Sequence, residues 1–112
     1  MGLQFDETVF APGAFVARHS HERPLFAAVL QGSAELGLRR AVHGCRQGGV
    51  YTHAGELHEN RFGARGARML RVYLDRELEL PPVVHAAQVS HVARQLAAEL
   101  RATDSAAPLA RE

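Results

Sequence analysis

The sequence predicts a mainly β domain, a sandwich or barrel of short strands followed by one amphipathic helix, on three observations. From Thr8 to Leu80, runs rich in Val, Leu, Phe, Tyr and Ala alternate with Gly, Pro or charged clusters at intervals of about 8 to 12 residues, the spacing of an all-β sandwich or barrel. After Pro81-Pro82 the apolar period lengthens to three and four residues. The chain has 112 residues, room for one core and not for two. Its 46% hydrophobic and 22% charged residues are ordinary globular usage, which argues against disorder, collagen-like repeats and coiled coil.

Strands are expected at 14–21, 25–31, 33–39, 41–46, 50–53, 57–62 and 67–75. The run from Leu25 to Leu30 is apolar throughout, as in a strand buried on both faces. Gly32 is expected to turn the chain tightly into Ala34-Glu35-Leu36-Gly37-Leu38, whose alternation suits a half-buried strand. Pro81-Pro82 fits neither a strand ladder nor a helix interior, so the β domain is expected at 1–82 and a helix with its tail at 83–112. Val89, Val92, Ala93, Leu96, Ala97 and Leu100 form one apolar stripe and place the helix at 89–101. That stripe either packs on the chain's own barrel or makes a dimer contact. Beyond Thr103-Asp104-Ser105 a frayed tail is expected.

Thirteen basic residues, all Arg, against twelve acidic ones give a formal charge of +1, and that balance does not suggest a nucleic-acid-binding face. No apolar run approaches the roughly 18 to 20 residues of a membrane span. The start Met1-Gly2-Leu3-Gln4-Phe5-Asp6 lacks the order of a signal peptide, so a cytoplasmic location is expected. Cys45 is the one cysteine and reads as a buried small hydrophobe, although neighbouring Arg46 could lower its pKa. Arg39-Arg40 reads as a solvated hairpin end.

Histidine carries the chemistry: there are seven, five of them between His19 and His58. His19 and His21 sit two apart at the end of an expected strand, where alternation aims both imidazoles at one face and makes a two-toothed claw for a transition metal. Glu22 would then point to the opposite face. His43, His85 and His91 read as surface or helix-flanking groups.

The spacing around these residues resembles the cupins. Gly13, five residues, His19-Ser20-His21, three residues, Leu25, six residues and Gly32 follow the first cupin motif except at its Glu, which is Leu25 here, or Phe26 in the longer spacing. Gly55 and His58 fit the second motif, with His53 at its Pro, Phe62 at its Asn, and Gly48 one place off its leading Gly. The resemblance implies a single cupin jelly-roll barrel, or double-stranded β-helix, with His19, His21 and His58 as ligands of a divalent transition metal such as Zn, Fe, Ni or Mn. The alternative is that these three histidines are hydrogen-bonding groups of a pocket that holds no metal. Glu56 and Glu59 flank His58 and could orient an imidazole. Leu25, Phe26, Tyr51, His53 and Phe62 are expected to line a ligand pocket.

Within the cupins, the runs from His19 to Phe26 and from His53 to Gly63 resemble the N-terminal effector-binding domain of AraC-type transcription regulators. That implies a small-molecule sensing module, a homodimer formed through the helix and, with no helix-turn-helix pair in the tail, no direct nucleic-acid binding. The rival expectation is a small metal-dependent cupin enzyme of dioxygenase, isomerase or lyase type.

Overall fold

Seven strands and one helix make up the computed structural model, which describes residues 4–106: β1 (Gln4–Phe10), β2 (Phe15–His19), β3 (Leu25–Gly37), β4 (Val42–Cys45), β5 (Gly48–Thr52), β6 (His58–Tyr73), β7 (Val83–His85) and α1 (Ala87–Ala106). All pairings are antiparallel, in the order β1-β6-β3-β5-β7, with β2 on β6 and β4 on β3. The mainly β class with one C-terminal helix is as expected.

The strand count equals the expectation, but the division differs: β3 and β6 are continuous, at 13 and 16 residues, where four shorter strands were predicted, and β1 and β7 were not predicted. Gly32 does not turn the chain. It bends β3 at φ +80°, and the register shifts on either side of it. Opposite lies Gly66, also at positive φ; a Cβ on Gly32 would stand 2.1 Å from the Gly66 carbonyl oxygen. Only glycine permits both this backbone conformation and this approach. Because both long strands bend there, Leu25–Val29 pairs with Met69–Tyr73 and Ala34–Gly37 with Glu59–Phe62, and the sheet curls around one interior.

β3 explains why its first half is apolar on both faces. Ala27 and Val29 enter the interior with Leu36, Val50, Phe62 and Met69. Ala28 and Leu30 face outward against Ala93 and Ala97 of α1, flanked by Val89, Leu96 and Leu100. Of the two expected packings for the helix stripe, the one on the chain's own barrel is found, with Val92 alone of the stripe left exposed. Polar contacts fix the same helix: fully buried Ser90 accepts a hydrogen bond from the Gly48 amide at 2.8 Å, and Arg94 donates to the Leu30 carbonyl at 3.1 Å.

Two elements escape the sequence pattern. β1 carries Asp6 and Glu7, poor strand formers, but Arg71 donates to Asp6 at 2.7 and 3.0 Å and Arg68 to Glu7 at 2.8 Å from the facing strand. β7 follows the double proline directly, so Pro81-Pro82 does not end the sheet. The Pro82 carbonyl accepts from the Tyr51 amide at 2.8 Å, a role that needs no proline N–H. The helix runs past its expected ends, and the tail beyond Ala106, like Met1 to Leu3, lies outside the described residues. Arg39 and Arg40 are exposed at the β3–β4 turn, as expected. Among the described residues no helix is long and apolar enough to cross a membrane.

Candidate metal centre

His19 ends β2 and His58 opens β6, and the two are direct cross-strand partners. His21 lies just past the end of β2, where its carbonyl accepts from the Gly55 amide at 2.8 Å and so ties this loop to the turn before β6. Ring centroids stand 4.2 Å apart for His19 and His58, 4.9 Å for His19 and His21, and 5.2 Å for His21 and His58. One ligand nitrogen from each ring lies within 4.8 Å of the others. Nitrogens bound at about 2.1 Å to one tetrahedral ion stand about 3.4 Å apart, the scale on which these three lie. The three histidines expected from the motif thus converge, and together they could hold a metal.

Hydrogen bonds set the tautomers. His19 Nδ1 is 2.8 Å from the Ala17 carbonyl and His58 Nδ1 is 2.9 Å from the Glu56 carbonyl. A carbonyl only accepts, so each Nδ1 carries the proton and donates, which leaves Nε2 with a free lone pair. The orienting groups are therefore backbone carbonyls and not the expected carboxylates. The Glu56 carboxylate accepts from the His53 amide at 3.0 Å, and Glu59 sits 3.9 Å from Arg18.

Burial disfavours the charged form of His21 and His58. His21 is pushed down to about 4, first by burial and then by the neighbouring His19, His58 and Arg71. Burial also lowers His58, which is 3% exposed, against the opposing pull of the Glu56 carbonyl. Above about pH 4 a metal has no proton to displace from His21.

A cavity of about 80 Å³ opens on the three rings. Leu25 and Phe62 line it, and Phe62 stacks on Phe10 with centroids 4.0 Å apart. Phe26 does not, because alternation turns it outward toward the helix-side core. Nor does Tyr51, which lies between the lining residues Val50 and Thr52 and therefore faces away. Its hydroxyl donates to Glu77 at 2.9 Å. His53 is exposed, bonds Glu77 at 2.7 Å and belongs neither to the histidine cluster nor to the cavity lining. The sequence reading missed Thr52, Asn60 and Arg71, the other polar groups of the wall. Their signal was positional: Thr52 is the cross-strand partner of Leu25, Asn60 follows His58 by two, and Arg71 interrupts an apolar run. Cys45 is buried and away from this cavity, and burial pushes its thiol up, so Arg46 does not activate it. His85 and His91 are exposed and His43 half-buried.

Solved structures carry the same architecture. A cupin superfamily protein of Desulfitobacterium hafniense matches with a TM-score of 0.58 at 20% identity, over 64% of this chain and 66% of its own. The fold is that of the cupins. Oxalate decarboxylase of Bacillus subtilis, described with Mn(II) centres, matches this cupin barrel with a TM-score of 0.59 at 21% identity, over 74% of this chain and 24% of its own. Oxalate decarboxylase of Lactobacillus farciminis, solved as a formate complex, matches with a TM-score of 0.59 at 19% identity, over 69% of this chain and 25% of its own. The chain thus spans about a quarter of the length of those decarboxylases. No protein-family model matches the sequence, and no curated protein does. The resemblance to AraC-type sensor domains receives no support from these structures.

Proposed function

We propose that this chain is a small metal-dependent cupin enzyme in which His19, His21 and His58 hold one divalent transition metal at the barrel mouth. The observation that carries this reading is the convergence of three imidazole nitrogens within 4.8 Å at the wall of a cavity. A bound ion would supply Lewis-acid polarisation of a small substrate. Three neutral imidazoles leave the charge of that ion undiminished, since the position of the cupin carboxylate is occupied by Leu25, 7% exposed. They also leave coordination positions for water or substrate. Zn, Fe, Ni and Mn all suit such a site, and the Mn(II) centres of the bacterial decarboxylase make Mn the first to try.

A second reading, a small-molecule sensing module, is favoured by β3 alone. That strand presents Ala27 and Val29 to the interior and Ala28 and Leu30 to α1, so a ligand that shifts it would reach the helix. A homodimer and a cytoplasmic location belong to the same reading, with the dimer formed by another surface than the helix stripe.

The test is turnover. Protein loaded separately with Mn, Fe, Zn or Ni is incubated with a panel of small carboxylates and carbonyl compounds and followed by proton NMR and oxygen uptake. Catalysis with one metal, lost in His21→Ala, is the expected result. Stoichiometric metal with no turnover across the panel would overturn the enzyme reading in favour of the sensor.

A further inference from the structure

Thr52 is a buried hydroxyl with nothing to bond. It is 4% exposed, and among the described residues its Oγ1 finds no hydrogen-bond partner, a state that costs about 1–3 kcal/mol and that native interiors generally avoid. Its neighbour Tyr51 faces away from the cavity, and Thr52 itself lines it with the three histidines, Asn60 and Arg71. Arg71 is held at the same wall: its Nε and Nη2 donate to Asp6 across the β1–β6 ladder, and its guanidinium lies 5.7 Å from the Tyr73 ring centroid. That grip fixes the plane of the fork and leaves Nη1 uncommitted to Asp6. The remaining wall is apolar, from Phe10, Val16, Leu25, Leu36, Phe62 and Met69 among others.

A wall with one orphaned hydroxyl and one immobilised cation, in a cavity whose other polar groups are Asn60 and the imidazoles, has the composition of a ligand-orienting subsite. The cavity volume of about 80 Å³ corresponds to two or three waters at about 30 Å³ each, which limits the ligand to a handful of non-hydrogen atoms. A planar oxyanion is what a guanidinium edge and a hydroxyl donor bind best.

We propose that Thr52 and Arg71 form the specificity-determining half of the site and bind the carboxylate of a small organic acid, whose other face meets the imidazole cluster. This rests on the metal reading above and names its substrate class. Thr52 is then a positioning residue: among the described residues no protein group satisfies its hydroxyl, and the bound carboxylate does.

The test uses Co(II)-loaded full-length chain, with metal content measured on each sample before acetate, and separately acetamide, is titrated against the visible Co(II) spectrum. Thr52→Val keeps the shape and removes the hydroxyl; Thr52→Ser restores it. Equal Co(II) content is expected in all three proteins, with acetate bound about tenfold or more weakly by Thr52→Val and within about threefold of wild type by Thr52→Ser. Acetamide is expected to bind more weakly than acetate to wild type. The metal-free Thr52→Val protein is expected to melt no lower than wild type, a result that a merely structural hydroxyl would not give. Unchanged acetate affinity in Thr52→Val, equal affinity for acetamide, or a lowered melting temperature in the metal-free variant would each overturn the subsite while leaving the metal centre standing. A wild-type chain that takes up no Co(II) would overturn the metal reading and this inference with it.

Discussion

Gly32→Ala is expected to lower the unfolding free energy by about 2–5 kcal/mol, the sum of about 1–2 for a left-handed backbone on a residue with a Cβ and about 1–3 for forcing packed atoms apart. The second contribution is unavoidable, since the new Cβ would stand 2.1 Å from the Gly66 carbonyl oxygen and 3.0 Å from the Ala67 Cα, and backbone atoms cannot rotate away. Against a total of about 5–15 kcal/mol for a domain, this removes a large fraction of the stability. Gly13→Ala is the comparison: Gly13 has nearly the same φ, +68°, but nothing within 4 Å of its added Cβ, so only the backbone contribution applies. Chemical denaturation of the two variants measures the difference. Equal losses would show that Gly32 is not the hinge that lets β3 and β6 bend over one another.

The other large effect is at the metal centre. His58→Ala is expected to weaken Zn(II) binding by well over 100-fold, because even an orienting group outside the ligand set is worth about 10–100-fold and His58 is held as a ligand itself. His58 is also nearly fully buried, and its removal leaves a hole at the barrel mouth. A loss of stability is therefore expected alongside, and His58→Gln, which fills that space without an imidazole, separates the two effects. Competition against a chromogenic chelator reads the affinity. Affinity within a few fold of wild type in both variants would remove His58 from the centre and leave only the pair on the β2 side.

Local pattern carried the class of this fold because the features that define it repeat along the chain. The alternation of buried Ala34 and Leu36 about exposed Glu35, and the stripe from Val89 to Leu100, were legible as core faces from the sequence pattern alone. The continuity of β3 and β6 was not. A glycine reads as a turn in one dimension, and only the approach of Gly66 from the opposite strand makes Gly32 a bend. β1 failed for a related reason: its acids are poor strand formers alone and good ones beside Arg68 and Arg71, some 60 residues away.

The three histidines were legible because an HxH pair and a third His at motif spacing are local signals. The wall opposite them was not. Tyr51 and Phe26 are aromatic and close in sequence to lining residues, yet the period of two turns both outward and gives their places to Thr52, Leu25 and Ala27. A pocket is an attribute of faces, and a one-residue error in face exchanges every member.

X-ray absorption of the Zn(II)-loaded protein tests the centre most directly, because imidazole rings give resolved outer-shell scattering that can be counted. The expected spectrum has three imidazoles with nitrogens at about 2.0–2.1 Å from the ion and one oxygen donor from water. Fewer than three imidazoles, or a protein that retains no zinc after desalting, would contradict a centre built from His19, His21 and His58.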